Sequence, residues 1–231
     1  KTVVFVMKIG IYGGTFNPPH LGHLEAARAA IEILGLDKLL MIPDAVPPHK
    51  DLPAGTPGPE HRLAMSEKMA DALLLPETVE VSPIELNREG RSYTADTLEA
   101  VHSEYPGAEL WLLMGTDMFL TLHQWHEPER ILALAGVCAF GRTEADGAAV
   151  FAPQREYLSK TYGARMTTIS IPGLVDVSST RMREELAAGA GREFLPEAVY
   201  GYILREKLYG TNADLKRLSL EDLRCVSSSM V

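Results

Sequence analysis

Apolar residues in this chain fall into short unbroken runs that alternate with longer stretches of helical spacing. Residues 3–12 are rich in Val and Ile and read as a fully buried strand, which Gly13-Gly14 then breaks. Residues 21–34 carry apolar positions at Leu24, Ala27, Ile31 and Leu34, a helix that Gly35 stops. A short strand at 39–43 leads into a Pro/Gly-rich loop over 44–59. Further on, the pattern predicts helices at 61–75, 94–105, 128–135, 153–162 and 179–188, with a short helix or turn at 118–122. Strands are predicted at 79–82, 109–114, 137–140 and 166–171. The tail, 196–231, is helical and charged, with a break around Asn212. Such alternation implies an α/β fold, a parallel sheet flanked by helices on both faces with right-handed crossovers. Ligands in such folds sit beyond the carboxyl ends of the strands.

The chain has 231 residues, enough for one α/β domain with a small helical appendage. A formal charge of −9 argues against a nucleic-acid or anionic-membrane partner, either of which needs a broad basic face. A small anionic substrate, which needs only a local cluster of donors, stays compatible. Cys138 lies in an apolar run, and with Cys225 suggests neither a disulfide framework nor a zinc site, as expected in a reducing cytoplasm. No apolar stretch approaches the ~20 residues that span a bilayer. The start runs straight into a strand and does not read as a signal peptide; Met7 is an alternative first residue.

Chemistry concentrates in Gly13-Gly14-Thr15-Phe16-Asn17-Pro18-Pro19-His20-Leu21-Gly22-His23. Small residues after a buried strand let backbone approach a phosphate, and the following helix points its N–H groups and positive end at the same place. The segment has neither the Gly-Lys-Ser/Thr of a Walker A loop nor Gly-x-Gly-x-x-Gly. It has instead His20 and His23, three apart, on one side of a helix start. Without a nearby Cys or carboxylate they make a poor zinc site and suit phosphate oxygens better. A second helix start, Val177-Ser178-Ser179-Thr180-Arg181-Met182-Arg183, offers Ser178 or Ser179 as N-cap and hydroxyls facing outward. Arg183, one turn on beside Ser179 and Thr180, can grip phosphate with two N–H groups.

The first segment resembles the histidine-x-glycine-histidine signature of the nucleotidyltransferase superfamily, and the second resembles that superfamily's serine/threonine-rich helix start ending in a basic residue. The resemblance implies a Rossmann-like fold and nucleotide joining without a covalent enzyme intermediate. Within the superfamily, residues 7–208 look like the bacterial nicotinate-nucleotide adenylyltransferases. Pro47-Pro48-His49-Lys50 resembles that family's phosphate-contacting loop, which assigns Lys50 to the reacting phosphates and His49 to substrate. Ser92-Tyr93-Thr94-Ala95-Asp96-Thr97-Leu98 resembles the segment lining the pyridine pocket, where Thr94 or Thr97 would bond the carboxylate or amide. Gly115-Thr116-Asp117 is similar to the family's glycine-x-aspartate turn beside the nucleotide, and Trp125 to the aromatic that stacks on the pyridine ring. Asn17 stands where aspartate is commoner, and His126 departs from the tyrosine expected beside that tryptophan.

What the resemblance implies is adenylyl transfer from ATP to nicotinate mononucleotide, giving nicotinate adenine dinucleotide and pyrophosphate. His20, His23 and Lys50 would be catalytic. Gly14, Thr15, Phe16, Gly22, Gly115, Asp117, Ser178, Ser179, Thr180 and Arg183 would bind ATP. Mg²⁺ is expected mainly on the ATP phosphates, with no protein metal site, and a homo-oligomer is compatible. Residues 1–208 would form the nucleotidyltransferase domain, and 209–231 a C-terminal helical extension or the start of a linker. The alternatives are nicotinamide mononucleotide or another acceptor, a phosphopantetheine or cytidylyl transferase, and a non-catalytic nucleotide sensor. The sensor would bind ATP without releasing pyrophosphate.

Overall fold

A computed structural model describes residues 6–45, 52–141, 150–171, 178–211 and 220–230. Its six strands are β1 (Lys8–Gly14), β2 (Lys38–Pro43), β3 (Val79–Val81), β4 (Glu109–Gly115), β5 (Ala135–Gly141) and β6 (Met166–Ser170). The helices are α1 (Leu21–Leu34), α2 (Pro59–Asp71), α3 (Thr94–Glu104), α4 (Thr116–Thr121), α5 (Pro128–Leu134), α6 (Ala152–Tyr162), α7 (Ser179–Ala187), α8 (Glu197–Glu206) and α9 (Leu220–Ser228). The strands form one sheet in the order β3-β2-β1-β4-β5-β6, each neighbouring pair parallel.

Side chains leave a strand on alternate faces, so a sheet covered on both sides needs apolar residues at consecutive positions. In β2, Leu39 and Met41 enter one core while Leu40 and Ile42 enter the other. β4 splits likewise, Leu113 to one side and Leu110, Leu112 and Met114 to the opposite. The first core takes apolar residues of α1, α2, α7 and α8, including Leu24, Met65, Met182 and Ile203. The second takes those of α3, α5 and α6, including Leu98, Ile131 and Leu158. The strand order reverses between β1 and β4, where an open α/β sheet leaves a crevice at its carboxyl edge.

Local boundaries differ from the sequence reading in instructive ways. Gly13 and Gly14 do not end the strand; they pair with Ile42 and Pro43 and complete β1. Helix α2 starts earlier than expected because Pro59 sits in its first turn, where a missing N–H costs nothing. It also ends earlier, since Leu74 takes a left-handed conformation (φ 58°). Residues 3–5 of the predicted first strand, the break at Asn212 and the Pro47-Pro48-His49-Lys50 segment lie outside the described residues. Among the described residues no helix is long and apolar enough to cross a membrane.

In the C-terminal part, α9 packs against α8 with Cys225 and Val226 buried. Arg205 Nη1 donates to Ser229 O and Oγ, each at 3.2 Å. The two helices meet closely at Gly201, where an added Cβ would collide with the Cys225 carbonyl. Gly201→Ala should therefore push α9 away and destabilise the fold by about 1–3 kcal/mol. Thermal unfolding should show the midpoint falling by roughly 2–10 °C; an unchanged midpoint would contradict this packing.

Candidate active site

Two central strands end side by side in glycine, β1 at Gly13-Gly14 and β4 at Gly115. A Cβ built on Gly13 or Gly115 would meet nothing within 4 Å, so packing does not demand glycine at either position. Neither residue has positive φ. What glycine does there is keep the crevice floor clear for something that approaches the backbone. Thr116 Oγ1 donates to Phe140 O at 3.0 Å and ties the β4 end to β5, leaving Gly115 and Asp117 exposed at the lip.

The loop after β1 delivers His20 as the N-cap of α1 (φ −139°, ψ 172°) and His23 in its first turn. The His20 backbone N–H donates to His23 Nδ1 at 3.2 Å. That bond makes Nδ1 the acceptor, so a neutral His23 carries its proton on Nε2. The rings of Tyr12, Phe16 and His20 surround it, with centroids 6.2, 5.3 and 3.8 Å away. Burial holds the His23 imidazole well below its usual range, and the neighbouring His20 lowers it further. Burial likewise pushes His20 down to about 4. Both are neutral at physiological pH and can serve as hydrogen-bond donors without a charge. His20 Nδ1 is buried with no partner among the described residues, a costly state that a bound ligand would relieve.

Other residues of the segment support it from below. Phe16 is buried, at φ 46°, with its ring edge-on to Tyr12, so its side chain braces His23 and is closed to a nucleotide. The Thr15 hydroxyl donates to Asp44 Oδ2 at 2.9 Å. Gly22 is buried inside the first turn of α1. Arg62, only 1 % exposed, donates through Nη1 to Thr15 O, Asp44 O and Asp44 Oδ1, and through Nη2 to Ala45 O. This buried guanidinium holds the loop after β1 to the loop after β2.

The start of α7 reaches the same loop. Ser178 is the N-cap of α7, its Oγ accepting from Arg181 N at 3.2 Å. Arg183 Nη1 donates to Asn17 O at 2.9 Å and Nη2 to Thr180 Oγ1 at 3.1 Å. Residues 166 positions apart are thus hydrogen-bonded, and the two helix starts converge on one edge of the sheet.

On the other flank, Tyr93 is the N-cap of α3 and stacks on His126, centroids 4.2 Å apart. This contact brings the Trp125 segment to the start of α3, with Trp125 half-buried against the core. Arg130 fastens the two, bonding Asp96 at 3.1 Å, Glu127 at 2.8 Å and also Glu99. Thr94 is half-buried at the first position of α3. Thr97 is buried; its hydroxyl donates to Glu85 Oε1 at 2.8 Å and accepts from Arg88 Nη1 at 3.1 Å. Its single hydrogen is therefore spent inside the protein. Burial raises Glu85 to about 7, and the Asp44 charge adds to the rise, while the Thr97 bond and Arg88 oppose it.

Sequence reasoning missed Arg62, Asp44, Glu85, Arg88 and Arg130. Each is an ordinary charged residue in its local context, so no short-range signal marks it. His49 and Lys50 lie outside the described residues.

The fold is that of a nucleotidyltransferase, and residues 11–185 match the family described as Cytidylyltransferase-like. The chain is 37 % identical over 204 residues to a protein of Gemmatimonas aurantiaca named "Probable nicotinate-nucleotide adenylyltransferase", covering 88 % of this chain and 92 % of that one. A relative of the same name from Dictyoglomus thermophilum is 33 % identical, over 88 % of this chain and all of that one. The chain belongs to the nicotinate-nucleotide adenylyltransferase family. Its fold is also that of the Plasmodium falciparum nicotinic acid mononucleotide adenylyltransferase solved with NaAD (TM-score 0.73, 18 % identity) and with APC (TM-score 0.72, 17 % identity). Each comparison covers 89 % of this chain and 98 % of the Plasmodium one.

Neutral histidines in the fold carry a consequence for stability. The His20 pKa is about 4 when folded against 6.5 for a free imidazole. Between those values the unfolded chain takes up the proton and the folded one does not. Stability is therefore fully present above about pH 6.5 and lost as the pH falls toward 4. From pH 6.5 to 5 the His20 share amounts to about 2 kcal/mol. Urea unfolding at both pH values should show that loss shrink in His20→Asn; an equal loss in variant and parent would refute the assignment.

Proposed function

We propose that the chain transfers the AMP moiety of ATP to nicotinate mononucleotide, releasing pyrophosphate and forming nicotinate adenine dinucleotide. The observation that carries the reading is the Arg183–Asn17 hydrogen bond, which sets a guanidinium beside the imidazole pair at the switch point of the sheet. The names of the relatives support the acceptor.

An oxygen of the acceptor's 5′-phosphate attacks the α-phosphorus of ATP. The bond to the bridging oxygen breaks, and its electron pair leaves with pyrophosphate. The nucleophile is already an anion, so no general base is needed, and catalysis is positioning plus electrostatic stabilisation. His23 donates its Nε2–H, and His20 its imidazole, to the α-phosphate, with Lys50 as a further cation on it and His49 a substrate contact. Being neutral, the histidines lower the energy of developing charge without locking the ground-state phosphate in an ion pair. Arg183, Ser179 and Thr180 hold the β- and γ-phosphates, Ser178 fixing the helix start. Backbone of Gly14, Thr15, Phe16 and Gly22, with Gly115 and Asp117 at the facing lip, cradles the nucleotide.

On the pyridine side, Trp125 stacks on the ring. Thr94 fits the carboxylate better than Thr97, whose hydroxyl hydrogen is already given to Glu85. Nucleotidyltransferases generally work with a divalent cation. Among the described residues no group of three or more His, Cys, Asp or Glu is arranged to hold one. The donor set of imidazoles, hydroxyls and guanidinium fits phosphate oxygens, so Mg²⁺ would come held by the triphosphate, where it supplies charge neutralisation for the leaving pyrophosphate.

Incubating the chain with ATP, Mg²⁺ and nicotinate mononucleotide should release pyrophosphate, and the amide in a parallel reaction should serve less well. His23→Ala should keep its fold while kcat falls about 10²–10³-fold. ATP binding without pyrophosphate release from the parent would sink the reading, and turnover of His23→Ala within a few-fold of the parent would remove His23 from the mechanism.

A further inference from the structure

Asn17 stands at the centre of the phosphate loop and is only 2 % exposed. Each of three polar groups has a different partner. Its Oδ1 accepts from the Tyr209 hydroxyl at 2.8 Å. Its Nδ2 donates to Thr56 Oγ1 at 3.0 Å. Its main-chain oxygen accepts from Arg183 at 2.9 Å. Thr56 gives its own hydroxyl hydrogen to Pro53 O at 2.7 Å, so toward Asn17 it can act only as an acceptor. The amide is therefore read in one orientation: nitrogen to Thr56, oxygen to Tyr209.

Tyr209 comes from the far end of the chain, just after α8. It sits at φ 56°, ψ 29°, and Lys207 two residues earlier sits at φ 53°. Two non-glycine residues in the left-handed region are uncommon, and such backbone persists only where the surroundings over-determine it. Here it turns a buried ring inward until the hydroxyl reaches Asn17, with Met65 Sδ 3.9 Å behind it. Burial raises the phenol's pKa against the opposing charges of Arg183 and Arg62, so the hydroxyl stays protonated and donates.

We infer that Tyr209 and Asn17 form a positioning pair for the transfer reaction, in which a hydroxyl from the segment after α8 sets the phosphate loop in register for Arg183 and the histidines. Removing that hydroxyl leaves the Asn17 oxygen buried without its partner. The amide is then held only at Thr56, and the Asn17 carbonyl that meets Arg183 shifts with it. Catalysis by positioning is sensitive to such shifts, since a displacement of about 1 Å can cost about a hundredfold in rate. The inference rests on the roles given above to His20, His23 and Arg183.

The test is Tyr209→Phe, with Tyr202→Phe as control. Tyr202 also loses one hydrogen bond, to His61 Nδ1 at 2.9 Å, but belongs to α8 and not to the loop network. Expected for Tyr209→Phe is a kcat lowered about 10- to 100-fold, with KM for nicotinate mononucleotide within about twofold. The imidazole ¹⁵N shift of His23 Nδ1 should move, since that atom reports the register of the helix start. The control should keep both. A folded Tyr209→Phe with parental kcat and an unmoved His23 shift overturns the inference. If that variant fails to fold, Thr56→Val, which releases the other end of the amide, must show the same kcat loss with unchanged KM, and parental turnover there overturns it. Should the parent show no adenylyl transfer, the proposed function fails, and the His23 shift still decides whether Tyr209 holds the loop.

Discussion

The order reversal between β1 and β4 is the constraint on which the site depends. Chain leaving β1 moves to one side of the sheet, and chain leaving β4 moves to the other, so the edge between them is left uncovered. Gly13 and Gly115 floor that gap with backbone alone. The α1 helix follows β1 directly, and α7 comes back to the same edge after β6. Their N–H groups and positive ends are thereby aimed at one place, which is what an elongated polyanion requires.

Charge within this crevice is rationed by burial. Arg62 and Arg183 are close in chemistry and differ in use. The first is spent on four oxygens of Thr15, Asp44 and Ala45 and holds two loops together. The second bonds one carbonyl and one hydroxyl, which leaves guanidinium N–H capacity for a ligand. The histidines are kept neutral because their rings are packed among Tyr12, Phe16 and each other. On the proposed reading, a chain of net charge −9 would in this way hold a triphosphate with few formal cations, by fixed dipoles more than by a basic surface.

The two flanks of the crevice are coupled through charge. Asp44 bonds both Thr15 and Arg62 on the phosphate side, and its charge is felt by Glu85 on the α3 side. Glu85 in turn holds Thr97, and Arg130 bridges α3 to the segment carrying Trp125 and His126. His126 packs its ring against Tyr93 at the start of α3.

Much of this could be read in advance, because the signals concerned are local. Unbroken apolar runs mark strands buried on both faces, 3.6-residue spacing marks helices, and an N-cap serine or a histidine pair at a helix start is visible within a few residues. These placed five of the six strands within about two residues and the starts of α1 and α7. Residues whose meaning comes from distant partners gave no such sign. Arg62 looks like any charged helix residue until Thr15 and Asp44 close over it, and Thr97 looks available until Glu85 takes its hydrogen. Tyr209 lies 192 positions from Asn17. Periodicity and capping are properties of neighbouring residues, whereas burial, pKa and hydrogen-bond ownership belong to whatever the folded chain brings alongside, and those were settled by the packing of segments that the linear order keeps apart.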